Sequence, residues 1–218
     1  PMEVQLTKRE YLNRWYSLKA YFAAMTVSTI PTTVLLSTLY LVPVYVISGQ
    51  PLEITRFVQF YILCILTAFV SESFGLIVSS FLGVVNSMFM APSCSVPLML
   101  LAVYGMGFGH IGIPIVMKVM MHLSYLRYSL EGVLNAVMRN RGTIPCQLQD
   151  DKLCLAFSDM NFFLEMMGFE ERNVWVDVGA LLFIYVLFRI ICYNLLRQRL
   201  SPNKTFRALK LIVRLVKS

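Results

Sequence analysis

The sequence predicts an all-α membrane protein with four spanning helices, preceded by an interfacial helix and interrupted by a re-entrant one. Three observations predict it. Hydrophobic residues make up 57% of the 218 residues and charged residues only 14%, with a mean hydropathy of +0.67. No charged residue lies between Lys19 and Glu53, nor between Glu72 and Lys118, and each tract exceeds the ~20 residues that one bilayer crossing needs. A further apolar run, Val174 to Leu196, stands apart after a polar stretch. Such tracts exclude disorder, collagen-like fibres, disulfide-dense secreted modules and a water-soluble enzyme.

Residues 1–19 form an intracellular segment. They set Lys8, Arg9, Arg14 and Lys19 among Tyr11, Leu12, Trp15 and Tyr16, and this spacing fits a short amphipathic helix at the membrane face. The chain opens with Pro1, which is expected of a piece of a longer polypeptide. Residues 20–138 hold three spans and the re-entrant segment. The first span runs from about Ala20 to Ile47 through Pro31 and Pro43, the second from about Phe57 to Leu82 and the third from about Ser87 to Phe108. Prolines are tolerated there when neighbours satisfy the freed carbonyls. Ile115 to Met138, with Lys118, Arg127 and Glu131, reads as a short amphipathic segment that dips into the bilayer and returns.

Residues 139–173 are polar, with six acids against four bases, and hold Cys146 and Cys154. Residues 174–196 are the last span. Basic residues flank both ends of the spanning region, and Lys and Arg near span ends stay cytoplasmic. Four crossings return the chain to its starting side, so both ends are expected inside and 139–173 outside. A Cys146–Cys154 disulfide is expected in that oxidising compartment; free thiols are the alternative. Cys64, Cys94 and Cys192 fall within spans as small apolar residues. In the tail, residues 197–218, Lys204, Arg207, Lys210, Arg214 and Lys217 recur at helical spacing opposite apolar positions. This predicts a basic amphipathic helix on the anionic inner leaflet, which accounts for the +7 net charge without nucleic acid.

Chemistry-bearing motifs are scarce. Gly107, Gly109 and Gly112 fit G-x-G-x-x-G, but a long apolar tract precedes them instead of a strand, so they read as backbone bends or close helix contacts. The G-x-x-x-x-G-K-[ST] phosphate loop is absent. His110 and His122 have no partners in a metal-ligand spacing. Glu72 and Arg189 stand out because each interrupts an apolar run, where an ionised group is costly and pairs or faces a polar cavity. The blander reading has Glu72 protonated or near the inner interface and Arg189 snorkelling.

Three stretches in order carry a resemblance: Arg9-Glu10-Tyr11-Leu12-Asn13 through Trp15 to Tyr21, Ser71-Glu72-Ser73-Phe74-Gly75-Leu76, and Leu123-Ser124-Tyr125-Leu126-Arg127-Tyr128-Ser129-Leu130-Glu131-Gly132-Val133. The chain resembles the third to sixth spans of the ABC-2 type transmembrane domain in G-subfamily ATP-binding cassette half-transporters, in particular the sterol and lipid exporters. That resemblance implies ATP-driven export by a dimer, with ATP and Mg bound by an upstream nucleotide-binding domain and no cofactor on this chain. It implies that Arg9, Glu10, Tyr11 and Tyr16 belong to a coupling helix docked on that domain. Val96, Leu98, Met99 and Val103 would line a cavity at the two-fold interface, with a plug near Gly105 and Met106. The family commonly has Gln where this chain has Glu72. Implied partners are membrane lipid, a second half-transporter, identical or different, and the chain's own nucleotide-binding domain, in the plasma membrane or an endomembrane. Small aromatic or pigment-precursor cargo, or a helical channel or anchoring subunit outside this family, are the alternatives.

Overall fold

The computed structural model describes residues 17–50, 53–82, 84–103, 115–139, 164 and 173–200. Six helices are described: α1 (Leu18–Ile47), α2 (Ile54–Phe81), α3 (Val84–Val103), α4 (Ile115–Leu123), α5 (Tyr125–Met138) and α6 (Val174–Leu200). Helices α1, α2, α3 and α6 are long and apolar enough to cross a membrane. No strand occurs among the described residues.

Helix α1 begins where Ser17 accepts from the Ala20 amide at 3.3 Å, a side-chain N-cap that satisfies one of the amides left without an intrahelical partner. It continues through Pro31 and Pro43, each of which removes one backbone bond. The helix ends at Ser48 and Gly49. Gly49 takes φ +63°, the left-handed conformation that suits glycine just beyond a helix. Helix α2 starts after Glu53, whose carboxylate meets Arg56 Nε at 2.6 Å.

Helix α2 is the centre of the bundle, with its most extensive contacts to α6 and α5 and others to α1 and α3. Leu63 and Val70 of α2, Tyr125 and Ala136 of α5, and Val178 and Leu181 of α6 form one apolar core. Close approach depends on Gly132: a Cβ there would lie 2.9 Å from Leu63 Cδ2 and 3.2 Å from Asp177 Cβ. Hydroxyl pairs lace α2 to its neighbours, Thr38 with Tyr61 at 2.6 Å and Thr67 with Ser129 at 2.6 Å. Between apolar helices in lipid, such bonds and close packing take the place of the hydrophobic drive that water supplies.

Ile115 to Met138 forms two helices, because Ser124 adopts an extended backbone between them. Helix α5 then runs antiparallel to α2. Its end meets Arg56, which donates to the Val137 and Arg139 carbonyls at 3.3 and 2.8 Å. Its beginning meets Ser71, whose hydroxyl lies 3.2 Å from that of Tyr125. At 1.5 Å per residue those levels are about 22 Å apart along α2.

Candidate functional site: a charged relay between three spans and an apolar wall

The first site begins with Glu72, on the part of α2 that faces both α1 and α6. Arg189 of α6 donates from Nη2 to Glu72 Oε1 at 3.1 Å. Thr33 of α1 donates to the other carboxylate oxygen at 3.4 Å. The second guanidinium arm, Nη1, reaches Thr26 Oγ1 at 3.4 Å, and Thr26 itself donates to the Phe22 carbonyl at 2.8 Å. Thr26 and Thr33 are seven residues apart, two helical turns, so α1 presents both on one side. The guanidinium also lies over the Tyr185 ring, 5.2 Å from its centroid, a cation–π contact with the residue one turn earlier on α6.

Arg189 is 8% exposed, and its Nε is buried without a hydrogen-bond partner. The arrangement ties three spans at one level. Removing either charge would leave the other in an apolar setting, a much costlier state than the pair itself. Beside it, Phe74, Tyr125 and Phe188 form an aromatic triangle with centroid separations of 6.2 to 6.4 Å. Ser71 and Phe188, the chain neighbours of Glu72 and Arg189, therefore hold α5 while the charged residues hold α1.

The second site is α3. Val96, Met99 and Val103 point away from the bundle and are exposed, at i, i+3 and i+7 of one helical face. Leu98, two positions from Val96, is partly buried and packs against the core. Met88, Phe89 and Leu100 extend the outward stripe; their spacing to Val96 and Val103 could have marked them in advance. A separate apolar cavity of about 250 Å³ opens between the ends of α1 and α2, lined by Val42, Tyr45, Val46, Glu53, Ile54 and Phe57. It shares no lining residue with α3.

Several sequence-derived candidates lie outside the described residues: Arg9, Glu10, Tyr11 and Tyr16; Gly105 and Met106; Cys146 and Cys154; and Lys204, Arg207, Lys210, Arg214 and Lys217. Cys64, Cys94 and Cys192 are free thiols. His122 stacks edge-on with Tyr128 at 6.5 Å. No cluster of three or more metal-ligating side chains occurs among the described residues.

Residues 1–138 match the model of the ABC-2 type transporter family. Protein white of Drosophila melanogaster is 26% identical over 200 residues, covering 90% of this chain and 28% of that protein. ABC transporter G family member 23 of Arabidopsis thaliana is 28% identical over 193 residues, covering 86% of this chain and 30% of that protein. Arabidopsis G family member 4 is 24% identical over 202 residues, at 90% and 34% coverage. The chain thus spans 28 to 34% of these relatives' length. A matched membrane domain without an ATPase motif and four helices able to cross a bilayer lead to one assignment: the chain belongs to the ABC-2 type transporter family, as a transmembrane domain of its G subfamily.

Proposed function

We propose that the chain is the transmembrane part of an ATP-driven half-transporter that exports a lipid or sterol. It works as a dimer, and the ATPase lies on sequence beyond these residues. The observation that carries the substrate class is the outward face of α3. Its exposed Val96, Met99 and Val103 offer a cargo shape and dispersion contacts but no side-chain hydrogen bonds, as suits a molecule already dissolved in the bilayer. Two such faces brought together by a two-fold axis make a cavity, with Gly105 and Met106 as its proposed plug. Both ends of the chain lie on the cytoplasmic side in this reading.

The charged relay supplies the connection to the motor. Helix α1 follows directly on the segment with Arg9, Glu10, Tyr11 and Tyr16, which docks on the nucleotide-binding domain. Thr26 and Thr33 tie that helix to Glu72 and Arg189, so displacement of α1 loads α2 and α6 together.

The test is reconstitution of the full-length protein in liposomes with fluorescent sterol and phospholipid probes. ATP-dependent transfer that vanadate abolishes supports the reading. Vanadate-insensitive ion conductance favours a channel, and transfer of small polar aromatics in place of the lipid probes moves the substrate class.

A further inference from the structure

Ser124 occupies the N-cap position of α5, with φ −80° and ψ 114°. A serine there ordinarily turns its hydroxyl oxygen toward the amides of its own helix's first turn. At α5 the Arg127 amide already donates to the Ser124 carbonyl at 3.2 Å, so the amide such a cap would serve is that of Leu126. Ser124 makes no such bond. Its hydroxyl donates across the bundle to the Leu98 carbonyl of α3, at 2.9 Å, and the residue is 0% exposed. The rotamer that reaches α3 is therefore one that leaves α5 without its side-chain cap. Rotation about χ1 toward the α5 amides gives up the link to α3.

We propose that Ser124 is a two-position latch on the cavity wall: bonded to Leu98 it holds α3 against α5, and released from α3 it caps α5. The inference rests on the reading of α3 as a transport-cavity wall and makes Ser124 a positioning residue for its movement. The two partners are unequally anchored. Tyr125, the next residue, is held by the Ser71 hydroxyl at 3.2 Å and wedged between Phe74 and Phe188. At the far end of α5, Arg56 holds the Arg139 carbonyl at 2.8 Å. Helix α5 is a fixed post beside the Glu72–Arg189 pair, and α3, with much of its surface uncovered, is the part that moves. Each latch position gives the hydroxyl one hydrogen bond, to the Leu98 carbonyl or from the Leu126 amide, so a load on α3 of the size of one net hydrogen bond selects between them.

The test uses the full-length protein in nanodiscs with spin labels at Leu100 on α3 and Val58 on α2, both exposed. Electron–electron distances are measured without nucleotide and after vanadate trapping. Ser124→Thr keeps the hydroxyl and is expected to give the wild-type distribution. Ser124→Ala and the Thr isostere Ser124→Val remove it and should raise the population of the longer distance about fivefold without nucleotide, the effect of one net hydrogen bond. Hydrogen exchange reads the other position: the Leu126 amide should gain protection on trapping in wild type and Ser124→Thr but not in Ser124→Ala or Ser124→Val. Unchanged nucleotide-free distances in Ala and Val, a Thr variant that behaves like them, or no gain in protection would overturn the latch. If vanadate leaves wild-type distances unmoved, the powered-wall reading fails, while the nucleotide-free comparison of Thr with Val still decides whether the hydroxyl holds α3.

Discussion

Arg189 Nη2 and Glu72 Oε1 meet at 3.1 Å between two helices that both belong in the bilayer. Neither residue is at a helix end, and the two side chains are 9% and 23% exposed. Their mutual neutralisation, with Thr26 and Thr33 as hydrogen-bonding neighbours, is what makes the two charges tolerable there.

Glu72→Leu and Arg189→Leu are each expected to lower stability by about 3 kcal/mol, because the surviving charge is stranded. The double Leu variant should recover most of that loss. Thermal unfolding midpoints in one detergent for all four proteins check this. Equal losses in single and double variants would mean that the pair contributes no coupling.

Gly132→Ala should cost about 1 to 3 kcal/mol, since its methyl group would press on Leu63 and Asp177. Gly75→Ala and Gly179→Ala are the controls. Nothing lies within 4 Å of a Cβ at either position, and alanine favours a helix interior, so both are expected to be neutral or stabilising. Chemical unfolding of the three variants separates the steric effect from the helix-propensity effect.

Arg56→Ala removes the donor that serves the carbonyls at the end of α5. The predicted signature is local: amides near residues 135–139 exchange about tenfold faster, consistent with a charged hydrogen bond of roughly 1.5 kcal/mol. Amides around residues 125–128, held separately by Ser71 and the aromatic triangle, should be unaffected. Exchange mass spectrometry with peptide resolution distinguishes the two ends.

Thr38→Val and Tyr61→Phe together form a double-mutant cycle across α1 and α2, whose hydroxyls lie 2.6 Å apart. A coupling of about 0.6 kcal/mol is expected, the usual size of an interhelical hydrogen bond in a membrane protein. Unfolding free energies of the four proteins give it directly.

The spans were readable because charge is so costly in lipid that uncharged tracts mark them. Their limits were not. Helix α1 starts two residues earlier than the apolar run suggested, where Ser17 caps it, and α3 is helical from Val84. Glu72 and Arg189 were each conspicuous, yet their partnership depends on α2 and α6 lying side by side. Thr26, Thr33 and Tyr185 passed unnoticed, although Thr at seven-residue spacing and an aromatic four residues before an intramembrane Arg are visible in the sequence. The break at Ser124 had no Gly or Pro to announce it. There Ser124 bonds to a helix 26 residues away in the chain, and local sequence carries no sign of such a bond.

The separation of 117 residues between Glu72 and Arg189 has a consequence for biosynthesis. At a ribosomal rate of about 5 to 20 residues per second, roughly 6 to 23 seconds pass between translation of the acid and that of its basic partner. During that interval the nascent α1–α2 hairpin holds a carboxyl group that Thr33 can solvate but cannot neutralise. A polypeptide that lacks α6 should therefore keep an unpaired carboxylate at Glu72 and be a marked substrate for membrane quality control.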